Sequence, residues 1–495
     1  MTATAERPTT IDAPPSPVSA VLALARFEGR KTVTHPVVWL GILASASLAV
    51  FELIEEAPVL NRTSMTLAWT MAPMAVAVAL VTGWAVLRAR GRSDANPPMV
   101  MPVAMGQRVA GILLGLAWPA ACALFLQLAL LAWVYTRQPV TSMVWTEFLV
   151  GPTYVVFAGA LSGALTRWLP HPSTPLFGVL LLAALQIVVP YDPGQWGAQI
   201  GPTALAPIAW PENIIPYEVS FRPSALHLGY LLGLVLVVGG IAVLGRSITG
   251  WTVLALGVVA AATLGPAQLG PIEDDRRIEA ISRLVGDQAD LTCQAHEPIT
   301  FCAMPGYEGW IDDWARGVGP VVEAAPVPVE PIEVRQYPVH VTFLLEGDTA
   351  AGTGWWWVQP ASQDYIARDV VPVASHLDSF TISYSLIHDL AYRMVGCDVE
   401  CLGGSQSVMY LWLVAHDPGI QEQVEYDASP ASDFASVATC MVAELLGRPD
   451  ATKLIGDNWE TLTSPNTSIE EVGRLLDITP PSGANADGYI EGGCP

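Results

Sequence analysis

Long apolar runs recur through the first half of the chain and stop near residue 270. They cover Val37 to Ile54, Met65 to Leu87, Val109 to Val134, Phe148 to Leu169, Leu176 to Val189, Ala225 to Leu244 and Trp251 to Leu269. Crossing a hydrocarbon core of about 30 Å takes about 20 residues in a helix, and all seven runs approach or exceed that length. The fifth is the shortest, and fits a short tilted span, a half-helix or a span that begins earlier. An odd number of crossings places the two ends of the chain on opposite sides of the bilayer.

After Pro271 the period changes. Tyr307 to Ala324 carries Trp310, Ile311, Trp314 and Val318 at helical spacing behind Pro305-Gly306, which predicts an amphipathic helix on a core. Pro326 to Pro338 reads as extended, Val339 to Leu345 as a strand, and Trp355 to Val358 as its continuation in a sheet. Ser383 to Val395, Ser407 to Val414, Ser432 to Leu446 and Ile469 to Leu476 read as helices. The expected fold is therefore a polytopic α-helical membrane domain, residues 19–270, followed by a soluble α+β domain, residues 271–495. Residues 1–18, rich in Pro and Thr, predict a disordered cytoplasmic tail. Ala20 to Thr32 mixes apolar residues with Arg26, Glu28, Arg30 and Lys31, the pattern of an interfacial helix. A signal peptide ending near Ala44-Ser45-Ala46 is the rival, but the apolar run continues past it.

Charge divides the chain at the same place. Residues up to Gly270 hold 13 Lys and Arg against 11 Asp and Glu, whereas the remainder holds 10 against 35. The acidic half excludes a nucleic-acid footprint. With the amino terminus inside, inner segments carry Arg7, Arg26, Arg30, Lys31, Arg88, Arg90, Arg92, Arg108, Arg167 and Arg246, and outer loops only Arg62, Arg137 and Arg222. That positive-inside bias puts the acidic domain outside the plasma membrane. Cysteines agree: Cys293, Cys302, Cys397, Cys401, Cys440 and Cys494 fall in that domain, and only Cys122 in a span. An even number in an oxidising compartment predicts disulfides, with Cys293–Cys302 the expected pair by proximity; a zinc site at Cys397 and Cys401 is the weaker alternative.

Candidate chemistry is sparse. No Asp, Glu, Lys or Arg falls in the middle of a span, and the halves are not inverted repeats, which argues against an ion-coupled transporter. Gly111 and Gly115, Gly159 and Gly163, and Gly229 and Gly233 form G-x-x-x-G pairs, read as close helix packing and as candidate faces for a second copy. His388-Asp389-Leu390-Ala391-Tyr392 is a degenerate match to H-E-x-x-H, with two of its three groups altered. Gly403-Gly404-Ser405-Gln406-Ser407 lacks the last glycine of a nucleophile elbow. Ser162 and His227 form no recognisable dyad, and Trp355 to Trp357 offer either a buried strand or a stacking surface. Neither lysine, Lys31 or Lys453, lies in a Walker A loop, so the chain is expected to be no enzyme and to carry no cofactor of its own.

The inner segment Arg88 to Arg108 (RARGRSDANPPMVMPVAMGQR), ending Met101-Pro102-Val103-Ala104-Met105-Gly106-Gln107-Arg108, resembles the basic first cytoplasmic loop of ABC-2 type permeases. The Ala20 to Thr32 helix before His35-Pro36, and the outer Pro- and Trp-rich segment Tyr191 to Pro223, are similar to that family as well. Ala104, Met105 and Gly106 replace the family's serine and arginine, and the seventh span and external domain depart from its six-span plan. They resemble actinobacterial permease-like proteins with an appended extracytoplasmic domain. The resemblance implies an exporter subunit that works as a homodimer or heterodimer with a separate cytoplasmic ATP-binding subunit, docked on Arg88, Arg90, Arg92, Pro102 and Arg108 and on the entry helix. The alternative is a membrane-anchored external module, ligand-binding or peptidase-like, without transport.

Overall fold

The computed structural model describes residues 17–54, 58–95, 104–188, 205–208, 223–244, 248–268, 290–329, 331–337, 370–374, 379–396, 404–429, 434–482, 489–491 and 494. The chain falls into two compact units, which divide near Asp274.

The first unit is helical. Its elements are α1 (Pro17–Val33), α2 (Pro36–Ile54), α3 (Leu60–Trp69), α4 (Ala72–Ala95), α5 (Met105–Leu114), α6 (Ala117–Tyr135), α7 (Trp145–Phe148), α8 (Val150–Trp168), α9 (Thr174–Val188), α10 (Ser224–Val243) and α11 (Ile248–Ala267). The interfacial helix thus starts at Pro17, within the stretch expected to be tail. Among the described residues six helices are long and apolar enough to cross a membrane: Pro36–Ile54, Leu60–Arg90, Met105–Tyr135, Trp145–Trp168, Ser224–Val243 and Gly250–Ala267. The fifth apolar run forms only the 15-residue α9. At 1.5 Å per residue it is about 22 Å long, short of the core thickness. It lies antiparallel to α8, with Gly178 against Ser162 and, with its amide oriented to satisfy every partner, Gln186 bonded to the Tyr154 hydroxyl at 3.2 Å. Nine residues of each helix, Gly178 to Gln186 and Tyr154 to Ser162, therefore run side by side.

Two helices form the centre of this unit. About 72% of the Trp145–Trp168 window and 67% of the Leu60–Arg90 window is buried, against 17% for Gly250–Ala267. Their shared core contains Met71, Met74, Val78, Val155, Phe157 and Leu182. In contrast α2 exposes Trp39, Leu40, Leu43 and Phe51, and α11 exposes Trp251, Leu256 and Val259, as lipid-facing helices do. All three G-x-x-x-G pairs are used inside the chain. Gly111 and Gly115 take Leu24, Ala25 and Gly29 of α1; Gly159 and Gly163 take Leu116 and Leu113; Gly229 and Gly233 take Leu264 and Ala261. This agrees with the reading of the pairs as close helix packing: a side chain at most of these glycines would strike a neighbour within the same bundle.

The second span is broken at Thr70–Met71, where Pro73 follows. A proline has no N–H to give and clashes with the preceding turn, so the ladder is interrupted there. Buried side chains from other helices satisfy the freed backbone: Ser45 Oγ accepts from the Met74 N–H at 3.1 Å and Gln127 Nε2 donates to the Leu67 carbonyl at 2.8 Å.

The second unit holds a four-stranded sheet, β1 (Thr292–His296), β2 (Ile299–Ala303), β3 (Ile332–Tyr337) and β4 (Val370–Ala374), in that order. β1 and β2 are antiparallel across the two residues Glu297 and Pro298, and β2, β3 and β4 are parallel. Parallel neighbours need a crossover, supplied by α12 (Ile311–Ala324), whose Ile311, Trp314, Val318 and Val321 are buried as the periodicity predicts. Around them pack α13 (Ser379–Val395), α14 (Ser405–Val414), α15 (Pro418–Ala428), α16 (Val437–Leu446), α17 (Ala451–Asp457), α18 (Trp459–Leu462) and α19 (Ile469–Leu476). A second pair, β5 (Phe434–Ser436) with β6 (Tyr489–Glu491), is antiparallel. Of the residues expected to begin a helix at Ser432, those described before α16 do not: Phe434–Ser436 pairs instead with a strand over fifty residues away, and Ser436 becomes the N-cap of α16. The strand expected at Val339 to Leu345 and the Trp355 to Trp357 run lie outside the described residues. Cys293 and Cys302 face each other in register and are disulfide-bonded, as expected from their proximity, and a second disulfide joins Cys440 to Cys494.

Candidate functional site

Where it is described, the basic stretch read as a loop is almost entirely helix. α4 continues to Ala95, so Arg88, Arg90 and Arg92 stand on its last turns, and Arg108 on the first turn of α5; Pro102 lies outside the described residues. The reason is length: Leu60–Arg90 and Met105–Tyr135 each hold 31 residues, about 46 Å, so roughly 15 Å of helix exceeds the hydrocarbon thickness. Arginines mark the end where the excess emerges. Arg90 Nη1 donates to the Arg167 carbonyl at the end of α8 (3.1 Å), and Arg108 Nη1 to the Ala89 carbonyl of α4 (3.4 Å). The Arg167 carbonyl lies in the last turn of α8, where carbonyls lack intrahelical partners and carry partial negative charge, so the Arg90 guanidinium both caps α8 and ties it to α4. Arg88 is exposed. Trp168 Nε1 adds a bond to the Ile241 carbonyl near the end of α10 (3.0 Å), which joins a further span to the same end.

Half-exposed aromatic residues stand toward both ends of the bundle, among them Trp118 and Tyr135 on α6. Trp118 and Tyr135 are 17 residues, about 25 Å, apart on α6, close to the separation of the two interfaces.

Polar groups inside the bundle are committed or sealed. His227 is fully buried; its Nε2 donates to the Pro207 carbonyl (3.3 Å) and its Nδ1 lies 2.9 Å from Gln268 Oε1. Ser162 packs against Gly83 and Gly178, so the two residues form no nucleophile–base pair. The hydroxyls of Thr82, Ser162 and Thr166 are buried without a hydrogen-bond partner among the described residues.

In the second unit His388 and Tyr392 are one turn apart on α13, and both reach Tyr410 of α14. His388 Nδ1 hydrogen-bonds the Tyr410 hydroxyl, and the Tyr392 and Tyr410 rings stack at 4.2 Å. The helical face that H-E-x-x-H would present to a metal is therefore closed by a phenol. Tyr410 had no signal in the sequence, since it lies in an apolar helical run like any core aromatic. Gly404, with φ of 76°, turns the chain into α14, and Ser405 Oγ donates to the Ser464 carbonyl (3.0 Å), which commits the hydroxyl of the elbow-like motif. Among the described residues no three His, Cys, Asp or Glu side chains gather as metal ligands. Cys397 and Cys401 lie outside them.

Burial sets opposite protonation states on neighbouring residues. Desolvation lowers the His388 imidazole to a pKa of about 4, and raises the Asp389 carboxyl to about 7 against the opposing charge of Arg393. Between pH 4 and 6.5 the unfolded chain binds the histidine proton that the folded one refuses, so stability from His388 grows with pH. Over pH 4 to 7 the folded chain holds the aspartate proton that the unfolded one releases, so stability from Asp389 falls with pH. The two slopes cancel over most of this window. Relative to the wild type, Asp389→Asn is expected to add a rise of stability with pH between about 4 and 6.5, and His388→Gln to add a fall between about 4 and 7. Urea midpoints across this range check the pair, and parallel profiles for the two variants would refute the assignment.

No family model, curated protein or solved structure matches this chain.

Proposed function

We propose that the chain is the membrane-spanning subunit of an exporter, powered by a separate ATP-hydrolysing subunit that docks on the arginine-bearing end of α4 and α5. The observation that carries this reading is the mechanical link at that end: Arg90 holds the end of α8 and Arg108 holds α4, so a force applied there reaches the two most buried helices. The amino terminus is cytoplasmic and the acidic unit extracytoplasmic, with α9 counted as a seventh crossing. The ten-to-three excess of inner Lys and Arg supports this arrangement, as do two disulfides, which persist in oxidising compartments. Glycine packing is satisfied within the bundle, so a partner subunit in the membrane meets other faces.

The test is affinity capture from native membranes in mild detergent, with identification of co-purifying chains and an ATPase assay. A stoichiometric Walker-containing partner is expected. Arg88→Glu, at an exposed position, should reduce the partner's stimulated ATPase activity at least tenfold without changing the thermal stability of the chain. An intact response in that variant would remove the docking site from α4. Failure to capture any such partner would shift weight to the second reading, an external binding or degenerate peptidase-like module, which the perturbed His388–Asp389 pair favours.

A further inference from the structure

The outward face of α1 has no part in the bundle. α1 packs along α5 and the start of α6 through Leu24, Ala25 and Gly29: Leu24 covers Gly111, Ala25 and Gly29 meet Gly115, and a Cβ on Gly29 would lie 2.4 Å from Trp118 Cδ1. The single acid of α1, Glu28, seals its Oε2 from solvent. On the opposite arc Leu22, Arg26, Phe27, Arg30 and Lys31 are exposed, with the Lys31 ammonium 6.0 Å from the centre of the Phe27 ring. Three cations and two large apolar side chains thus share a face with no carboxylate. Depth decides what meets that face. Gly29 rests on Trp118, which stands about 25 Å, close to one hydrocarbon thickness, from Tyr135 along α6, and His35, which follows α1, lies 6.3 Å from the ring of Trp84 on α4. At that level the neighbours of an exposed side chain are lipid headgroups and the first methylenes below them.

We propose that the Leu22, Arg26, Phe27, Arg30 and Lys31 face of α1 is a binding surface for anionic phospholipid. The guanidinium and ammonium groups meet headgroup phosphates, and Leu22 and Phe27 share that face. This assignment leaves the ATPase to the α4 end and does not depend on the exporter reading. Each cation at an anionic surface multiplies affinity about fivefold.

The experiment titrates the purified full chain in neutral detergent with phosphatidylglycerol or phosphatidylcholine and counts bound lipids by native mass spectrometry. The wild type is expected to prefer phosphatidylglycerol, with the preference lost at high salt. The triple variant R26Q/R30Q/K31Q should bind phosphatidylglycerol at least tenfold more weakly and phosphatidylcholine unchanged. Lys31→Gln alone, a milder change on the last turn, should cost about fivefold, so the proposal stays testable if the triple variant does not fold. Arg88→Gln should leave lipid affinity within twofold. Wild-type lipid preference in both α1 variants would overturn the proposal, as would an equal loss in Arg88→Gln. So would a triple variant that keeps its lipids but loses a co-purifying ATPase, since α1 would then be a protein-docking face.

Discussion

Replacing Cys440 and Cys494 by serine lowers the stability of the acidic unit by about 4 kcal/mol, because the bond closes a long loop. The two cysteines are 54 residues apart, so their link removes much of the freedom of the unfolded chain between them. It also anchors a small structure: β6 pairs with β5 through Tyr489, Ile490 and Glu491, the Cys494 N–H donates to the Ala428 carbonyl (3.0 Å), and Ala435, Cys440 and Ile490 are buried together. Without the bond, two three-residue strands and one cluster must hold the carboxyl terminus. The Cys293–Cys302 bond spans only nine residues and joins strands already paired, so the same reasoning gives it about 2.5 kcal/mol. Denaturant titration of the full chain, followed by a probe in the acidic unit, reads both. A double serine variant at 440 and 494 no less stable than one at 293 and 302 would contradict the loop-length account.

Gly257→Val should disrupt the α10–α11 hairpin by about 3 kcal/mol or more. A Cβ at Gly257 would lie 2.5 Å from the Val237 nitrogen and 2.8 Å from the Gly233 carbonyl oxygen, both backbone atoms that no rotamer can move. Gly233 and Gly240 return the contact, their added Cβ atoms falling 2.8 Å from the Ala261 nitrogen and 2.7 Å from the Leu254 nitrogen. Two 20-residue helices held at backbone contact would have to part along their length, and in lipid, where apolar burial gives no advantage, packing is what joins them. Gly239 supplies the control, since a Cβ there meets nothing within 4 Å. Gly239→Ala should be neutral or stabilise by up to about 1 kcal/mol through helix propensity. Heating in detergent followed by size-exclusion chromatography separates the cases, and equal survival of the two variants would show that the close approach carries no weight.

Much of the membrane half is legible along the chain because its signal is one-dimensional. A span needs only a sufficient number of consecutive apolar residues, and the observed helices begin and end within a few residues of the predicted runs for α2, α10 and α11. Leu60 to Ser64 lie outside the apolar run because buried polar residues such as Asn61, Thr63 and Ser64 read as loop; hydropathy does not count their partners, such as the Leu60 carbonyl that accepts from Ser64 Oγ and the Arg62 N–H that donates to Asn61 Oδ1. The break at Thr70 falls inside a run read as one span; Pro73 interrupts the ladder locally, but Ser45 and Gln127, which satisfy it, come from other spans. In the acidic unit α19 matches its predicted range, since Val472 and Leu476 repeat at helical spacing between an N-cap serine and Asp477 in the left-handed region. Phe434–Ser436 departs from the same reasoning, because pairing with a distant strand outweighs local helix preference.

By itself the sequence determined the division into an apolar and an acidic half, the positions of the helices long enough to cross a membrane, the emergence of arginines at one end, and the Cys293–Cys302 pairing. Each of these depends on residues near one another in the chain: a run, a charge excess, a nine-residue separation. Only the tertiary structure decided that the arginine stretch is helix tied to α8, that the glycine pairs serve this chain's own bundle, that Tyr410 closes the His388 face, and that Cys440 meets Cys494. Those outcomes rest on contacts between residues far apart in sequence, where close packing and hydrogen-bond satisfaction select one partner among many that composition allows.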